Sequence, residues 1–204
     1  MIVHTVHTGQ LSNMGPAVAE SMFRLRYETF HTRLGWDVQT HDGMERDDFD
    51  SPSTVYILGQ SPDTGVDACW RLLPTLGRYM LKDVFPELLH GQPAPEAQDV
   101  WELSRFAIAT ERVPPSADGF GPLSVSLMAE SARFALSRGI QRYVTVTTTA
   151  IERLLKRQGL HIHRFGPPLR IGVAYAVACV IEVDEITLSA VGVSSPHRIT
   201  PTAS

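Results

Sequence analysis

The run Val100–Trp101–Glu102–Leu103–Ser104–Arg105–Phe106 sets a carboxylate, a hydroxyl and a guanidinium inside an otherwise strand-like apolar segment. Strand alternation assigns Val100, Glu102, Ser104 and Phe106 to one face, and Trp101, Leu103 and Arg105 to the other. A buried carboxylate is costly unless it is paired or used. Glu102 therefore reads in two ways: as half of a Glu–Arg pair that holds a sheet, or as a cleft carboxylate that binds a cation or takes a proton. Arg71, inside Ala68–Cys69–Trp70–Arg71–Leu72–Leu73, carries the same two readings. Arg26 is four residues from both Met22 and Phe30, so on a helix it emerges beside apolar side chains. It is either a snorkelling arginine with its head in water or an arginine held in a cleft.

Charge is unevenly spread. From Asp37 to Asp50 there are six acids (Asp37, Asp42, Glu45, Asp47, Asp48, Asp50) and one base, Arg46. From Arg133 to Arg170 there are eight bases (Arg133, Arg138, Arg142, Arg153, Lys156, Arg157, Arg164, Arg170) and one acid, Glu152. A charge run is ordinarily a solvated face, but a ratio this lopsided points to an acidic partner. Several familiar sites have no support. There is no GxGxxG or GxxxxGK[ST] for a dinucleotide or nucleotide. There is no HExxH or CxxC for zinc, and no GxSxG elbow. His161 and His163 are too few to argue a metal, and no cofactor is expected.

The elements that must position these groups can be read from periodicity. Ala17 to Arg33 reads as a helix, with Val18, Met22 and Leu25, and Phe23, Tyr27 and Phe30, at helical spacing. Residues 35–52 read as a loop. Thr54 to Gln60 and Val66 to Leu73 read as strands around a hairpin turn at Ser61–Gly65. Val100 to Ala109 is a further strand. Leu123 to Ser137 reads as a helix that stops at Gly139. Tyr143 to Thr149 is a strand, Ile151 to Gln158 a helix closed by Gly159, and Val173 to Val183 a strand. Strands that first pair locally and later alternate with helices predict an α/β fold, a mixed sheet with helices on its faces.

The 204 residues suit one domain, and 43% hydrophobic with 20% charged is ordinary for a globular chain. The net charge of −4 argues against a nucleic-acid partner. Two cysteines, Cys69 and Cys179, imply no disulfide framework and suit a reducing, cytoplasmic setting. The N-terminus lacks a signal-peptide pattern, and no apolar run is long enough for a membrane span. Residues 1–188 are expected to form the domain, and residues 189–204, small and polar, a loose tail.

An ordered set of segments resembles the LuxI-type acyl-homoserine-lactone synthases. The set begins with Leu25-Arg26-Tyr27-Glu28-Thr29-Phe30, Leu34-Gly35-Trp36-Asp37 and Asp47-Asp48-Phe49-Asp50. Cys69-Trp70-Arg71-Leu72-Leu73, Tyr79-Met80-Leu81-Lys82 and Phe85-Pro86-Glu87-Leu88-Leu89 follow in order. Trp101-Glu102-Leu103-Ser104-Arg105-Phe106, Val144-Thr145-Val146-Thr147-Thr148 and Arg164-Phe165-Gly166-Pro167 complete it. The resemblance spans about residues 1–185. It implies an N-acetyltransferase-like fold with a V-shaped cleft between strands. It also implies an acyltransferase that makes a quorum-sensing signal: a fatty-acyl chain passes from acyl carrier protein to the amine of S-adenosylmethionine, and lactonisation then releases methylthioadenosine.

Residue by residue, the resemblance implies Glu102, Ser104 and Arg105 as catalytic, with Glu102 the candidate base. Arg26, Phe30, Trp36, Asp47, Asp50, Arg71 and Phe106 are implied around S-adenosylmethionine. Carboxylates and aromatic rings suit its sulfonium and ammonium, and an arginine fork, Arg26 or Arg105, suits its carboxylate. Met128, Thr145 and Thr147 are implied at the acyl pocket, where a threonine hydroxyl would favour a 3-oxo chain. Arg153, Lys156 and Arg157 are implied at the carrier-docking face, since acyl carrier proteins are acidic. Two other readings compete. One is an acyl-CoA-dependent acyltransferase of the same fold, against which stands the missing Arg/Gln-x-x-Gly-x-Gly/Ala signature. The other is an inactive ligand-sensing protein, against which stands the intact set of Arg26, Asp47, Asp50, Arg71 and Glu102.

Overall fold

The computed structural model describes residues 3–114, 116 and 119–194. Its centre is an eight-stranded mixed sheet in the order β1-β4-β5-β6-β7-β10-β8, with β9 pairing beside β8 along β10. The strands are β1 (Thr5–Gln10), β4 (Val55–Ser61), β5 (Gly65–Pro74), β6 (Val100–Ile108), β7 (Arg142–Thr148), β8 (Ile162–Arg164), β9 (Leu169–Ile171) and β10 (Ala174–Glu182). The two-residue strands β2 (Thr40–His41) and β3 (Met44–Glu45) form a separate hairpin within the predicted 35–52 loop.

Each predicted strand and helix is present to within a residue or two. The sequence reading passed over β1, β8, β9 and the short helices α2 (Met80–Asp83) and α5 (Glu185–Ala190). β1, Thr-Val-His-Thr-Gly-Gln, has one large apolar residue. As an edge strand paired only with β4, it needs no apolar stripe. The tail boundary moves outward: Ser189 and Ala190 close α5 and Val191 is buried in the core. Residues 195–204 of the expected tail lie outside the described residues.

Helices cover both faces of the sheet, as the mixed-sheet reading required. On one face, α3 (Pro122–Arg138) and α4 (Thr149–Gln158) pack on Val55, Ile57, Trp70, Leu72, Leu103, Tyr143, Val177 and Cys179. Proline in the first turn of α3 and left-handed Gly139 and Gly159 after α3 and α4 set their ends. On the other face, α1 (Pro16–Arg26) packs on Tyr56, Leu58, Cys69 and Ala107. Next to it, the segment around α2 packs on Leu73, Val100, Val144 and Ala178. Both cysteines are buried and free. No helix among the described residues is long and apolar enough to cross a membrane.

Two irregularities position the functional groups. The helix predicted over residues 17–33 changes at Tyr27 from α to a π-helical stretch, Tyr27–Arg33, whose wider turns carry Phe30 inward. The sheet itself is interrupted between β6 and β7. These strands are parallel and pair only over Val100–Leu103 and Arg142–Thr145. Beyond that, β6 continues against β5 and β7 against β10, but not against each other. The result is the expected V-shaped cleft, opening toward the C-terminal ends of β6 and β7.

Candidate active site

On the α1 face, beside the notch, three arginines and three carboxylates from four separate segments meet. Arg26 leaves the end of α1 fully buried, so its head is not in water. Its Nε donates to Glu45 at 2.5 Å, and Nη1 and Nη2 donate to Asp50 at 2.8 and 2.9 Å. Arg71 of β5 donates to Asp47 at 2.5 and 3.1 Å, to Asp50 at 2.7 Å and to the Ser104 hydroxyl at 3.1 Å. Arg105 of β6 donates to Glu45 at 3.0 Å and to Asp47 at 2.8 Å. The acidic run is thus folded back over the arginines by the β2–β3 hairpin and the turn after it.

Asp50 is the hub. It accepts both Nη atoms of Arg26, Nη1 of Arg71, the Asp47 amide at 2.8 Å and the buried Tyr56 hydroxyl. Burial opposes its ionisation, but Arg26, then Arg71 and the Tyr56 hydroxyl, hold its carboxyl well below the usual range. Three donors on Oδ1 and two on Oδ2 thus occupy this carboxylate. Of the three arginines and three carboxylates, Asp47 (side chain 8% exposed) and Arg105 (10%) are the ones that reach solvent. Arg105 also points Nη1 at the Met80 sulfur, 3.3 Å away, a weak acceptor.

Alternation along β6 fails at one point. Arg105 has a left-handed φ of 55°, and the β5–β6 register slips between Cys69 and Arg71. This bulge places Arg105 on the same face as Glu102 and Ser104 and shifts everything after it by one. Phe106, expected around S-adenosylmethionine, therefore lies on the opposite side of the sheet from the Arg105 side chain. It lies on the α3 face, with ring centroids 5.0 Å from Trp70 and 6.1 Å from Phe120. A left-handed backbone at a non-glycine costs about 1–3 kcal/mol and persists only where the surroundings hold it. Here the hold is the pair of carboxylates on the Arg105 side chain.

Glu102 is fully buried and takes two backbone N–H groups from the start of α2, Met80 at 2.9 Å and Leu81 at 2.7 Å. Burial raises its pKa to about 7, against the opposing pull of those two bonds and of Arg71 and Arg105. That is the range in which a carboxylate works as a base at neutral pH. Phe30 and Trp36 stack at 5.4 Å with 19° between planes, and the Arg105 guanidinium lies 5.4 Å from the Phe30 centroid.

The acyl-pocket set sits across the sheet from the arginines. Thr145 and Thr147 of β7 pair with Cys179 and Val177, whose side chains lie in the α3 face, and Met128 of α3 packs into that core. A narrow apolar cavity of about 20 Å³ runs between Trp70, Leu103, Met128, Tyr143 and Ile181. Neither threonine lines it. Arg153, Lys156 and Arg157 are all exposed on α4, which leaves β7 at the mouth of the notch.

Sequence reasoning missed Glu45, Tyr56 and Met80 at the site. Glu45 stood in the acidic run but, unlike Asp47 and Asp50, had no partner suggested for it. Tyr56 lay unremarked in a predicted strand and Met80 in a family segment, and both are buried. No group of three or more His, Cys, Asp or Glu among the described residues is arranged to hold a metal.

The autoinducer synthase family profile matches residues 10–191. An acyl-homoserine-lactone synthase of Pseudomonas aeruginosa is 43% identical over 184 residues, 89% of this chain and 90% of that protein. The crystal structure of the AHL synthase LasI superposes with a TM-score of 0.86 at 41% identity, covering 97% of this chain and 100% of that one. The CoA-dependent acyl-homoserine lactone synthase BjaI, solved with SAM and isopentyl-CoA, gives a TM-score of 0.81 at 26% identity, covering 95% and 92%.

Proposed function

The chain belongs to the autoinducer synthase family and is an acyl-homoserine-lactone synthase that uses S-adenosylmethionine as substrate; on that premise we propose how its residues divide the work and which donor supplies the acyl chain. The observation that carries the reading is the notch between β6 and β7. It lies between a charged face, which suits a zwitterionic, sulfonium-bearing substrate, and an apolar face, which suits a fatty chain.

On the charged face, Asp47, Phe30 and Trp36 receive the cationic groups, and Arg105 receives the carboxylate. Arg105 takes this role rather than Arg26 because every nitrogen of Arg26 is already spent on Glu45 and Asp50. The Arg105 Nη1, by contrast, gives up only a thioether. Arg26, Asp50, Arg71, Glu45 and Tyr56 hold this pair in place without touching substrate. Glu102, directly or through one water, takes the proton of the α-amine. The amine nitrogen then attacks the thioester carbon, and the C–S bond breaks to free the carrier thiol. The negative oxygen of the intermediate is stabilised by Arg105 or by the β6 amides that lack a β7 partner in the notch. In the second step the carboxylate oxygen, held by Arg105, attacks the carbon bearing the sulfonium. That C–S bond breaks, and methylthioadenosine leaves with the electron pair.

On the apolar face the chain lies beside Phe106, Met128 and Leu103. Thr145 and Thr147 are the hydroxyls available to a 3-oxo group. The donor is acyl carrier protein, docked on Arg153, Lys156 and Arg157, and the enzyme works in the cytoplasm, where both substrates are made. The test is the purified chain with S-adenosylmethionine and equal concentrations of matched acyl-carrier-protein and acyl-CoA donors, with lactones read by mass spectrometry. Acyl-homoserine lactone formed faster from the carrier-bound chain is the expected result. Faster synthesis from acyl-CoA overturns the donor assignment.

A further inference from the structure

Glu152 is the single acid in the basic stretch, and it does not face solvent. Its side chain is 1% exposed on α4, yet two half-exposed cations converge on it. Lys156, one turn on, reaches its Oε1 at 2.7 Å and keeps 50% of its own surface exposed. Arg164, from the separate strand β8, donates Nε to the same oxygen at 2.7 Å and Nη2 to the other, with 33% exposed. The Arg164 bonds, more than the neighbouring Lys156, hold the Glu152 carboxyl below its ordinary range, so it stays charged.

The carboxylate therefore ties a helix residue and a strand residue into one rigid basic corner. That corner is fixed to the notch, because α4 begins where β7 ends and the Thr148 hydroxyl caps it by accepting from the Ile151 amide at 3.3 Å. Long cationic side chains normally lose much rotamer freedom when a partner fixes them. Here that loss is taken in the free enzyme. We propose that Glu152 is a positioning residue for the acyl donor: it preorganises Lys156 and Arg164 toward the acidic carrier so that the acyl arm enters the notch in register. This rests on the carrier-docking reading above.

The direction of the effect is diagnostic. By net charge alone, removing an acid from a basic face strengthens attraction to an acidic carrier. By positioning, removing it weakens docking, because two cations are released. The assay uses acyl carrier protein charged with the chain found in the product analysis. Glu152→Gln is expected to raise the KM for that donor several-fold, with the KM for S-adenosylmethionine unchanged. Glu152→Asp keeps the charge but draws the carboxylate back by one methylene, so it is expected to raise the donor KM as well, and it serves if the glutamine variant does not fold. An Arg153→Glu/Arg157→Glu variant reports on the docking face itself. If that double reversal leaves the donor KM unchanged, the docking reading fails and the role of Glu152 falls with it. If the reversal raises the donor KM but Glu152→Asp, or a folded Glu152→Gln, leaves it equal to or below wild type, the docking face stands and the positioning role is overturned.

Discussion

Ser104 and Arg105 follow one another in β6, yet both side chains enter the same ion-pair cluster: the Ser104 hydroxyl accepts from Arg71, and the Arg105 guanidinium bridges Glu45 and Asp47. Neighbouring residues of a regular strand cannot do this. The left-handed φ of 55° at Arg105 permits it, and the same bulge sends Phe106 to the α3 face, against Trp70. On the proposed division of roles, the two halves of the reaction part at this single backbone irregularity.

Replacing the shared guanidinium tests that division. Arg105→Lys keeps the charge but loses the fork that spans Glu45, Asp47 and the incoming carboxylate. It is expected to weaken S-adenosylmethionine use by about 1.5–3 kcal/mol, the worth of a hydrogen bond to a charged group. Steady-state kinetics with each substrate varied in turn gives the check. A change confined to the acyl donor would remove Arg105 from the carboxylate site.

Glu102→Gln is expected to lower lactone synthesis by on the order of 10²–10⁴, the usual contribution of a positioned base, while circular dichroism stays native. Linkage supplies an independent readout. With a pKa raised from the ordinary 4.5 to about 7, folded Glu102 holds a proton that the unfolded chain releases. Its burden on stability is absent below about pH 4.5, grows as pH rises, and is complete above about pH 7. The melting temperature of wild type relative to Glu102→Gln should fall between pH 5 and pH 8. A constant difference would mean that Glu102 ionises normally.

Asp50→Asn leaves Arg26 and Arg71 short of a buried counter-charge. The expected loss is about 3 kcal/mol, the lower end for breaking a buried pair, because Glu45 and Asp47 remain. The wild-type advantage is full above the ordinary carboxylate value of 3.8 and fades as pH falls through the depressed one. Urea unfolding of both proteins at pH 7 and pH 3 measures it.

Phe106→Leu reshapes the wall shared with Trp70 and Phe120. It should redistribute product chain lengths and leave the KM for S-adenosylmethionine within twofold of wild type, roughly the scatter of one weak contact. Lactone profiling with a mixed donor pool tests this, and an S-adenosylmethionine defect with unchanged products would return Phe106 to its sequence-based place.

Thr145→Val and Thr147→Val remove a hydroxyl at constant volume. A bond to a 3-oxo group is worth about 0.5–1.5 kcal/mol net, a several-fold bias. Paired 3-oxo and unsubstituted donors of equal length should show that bias reduced in at least one variant. Equal ratios in both would leave the threonines as strand formers.

The sequence by itself determined the longer elements and named most of the groups that meet in the ion-pair cluster. Helical spacing of Met22, Arg26 and Phe30 placed an arginine among apolar side chains, and all three are buried. The apolar runs around Arg71 and Glu102 marked strands with polar residues inside. The ordered family segments supplied the rest, because local periodicity and residue type survive in a linear string. Tertiary structure alone decided which ion meets which. Glu45 became a bridge between Arg26 and Arg105, and Asp50 the hub of the cluster, through pairings that cross 19 to 60 residues of chain. It also decided the phase of β6 after Ser104. A bulge is stabilised by distant partners, here the carboxylates of a hairpin and the turn after it, and no local pattern in Ser-Arg-Phe announces it. The same holds for Glu152, which reads as the one exception in a basic stretch, whereas in the fold Lys156 of its own helix and Arg164 of β8 close over its buried carboxylate.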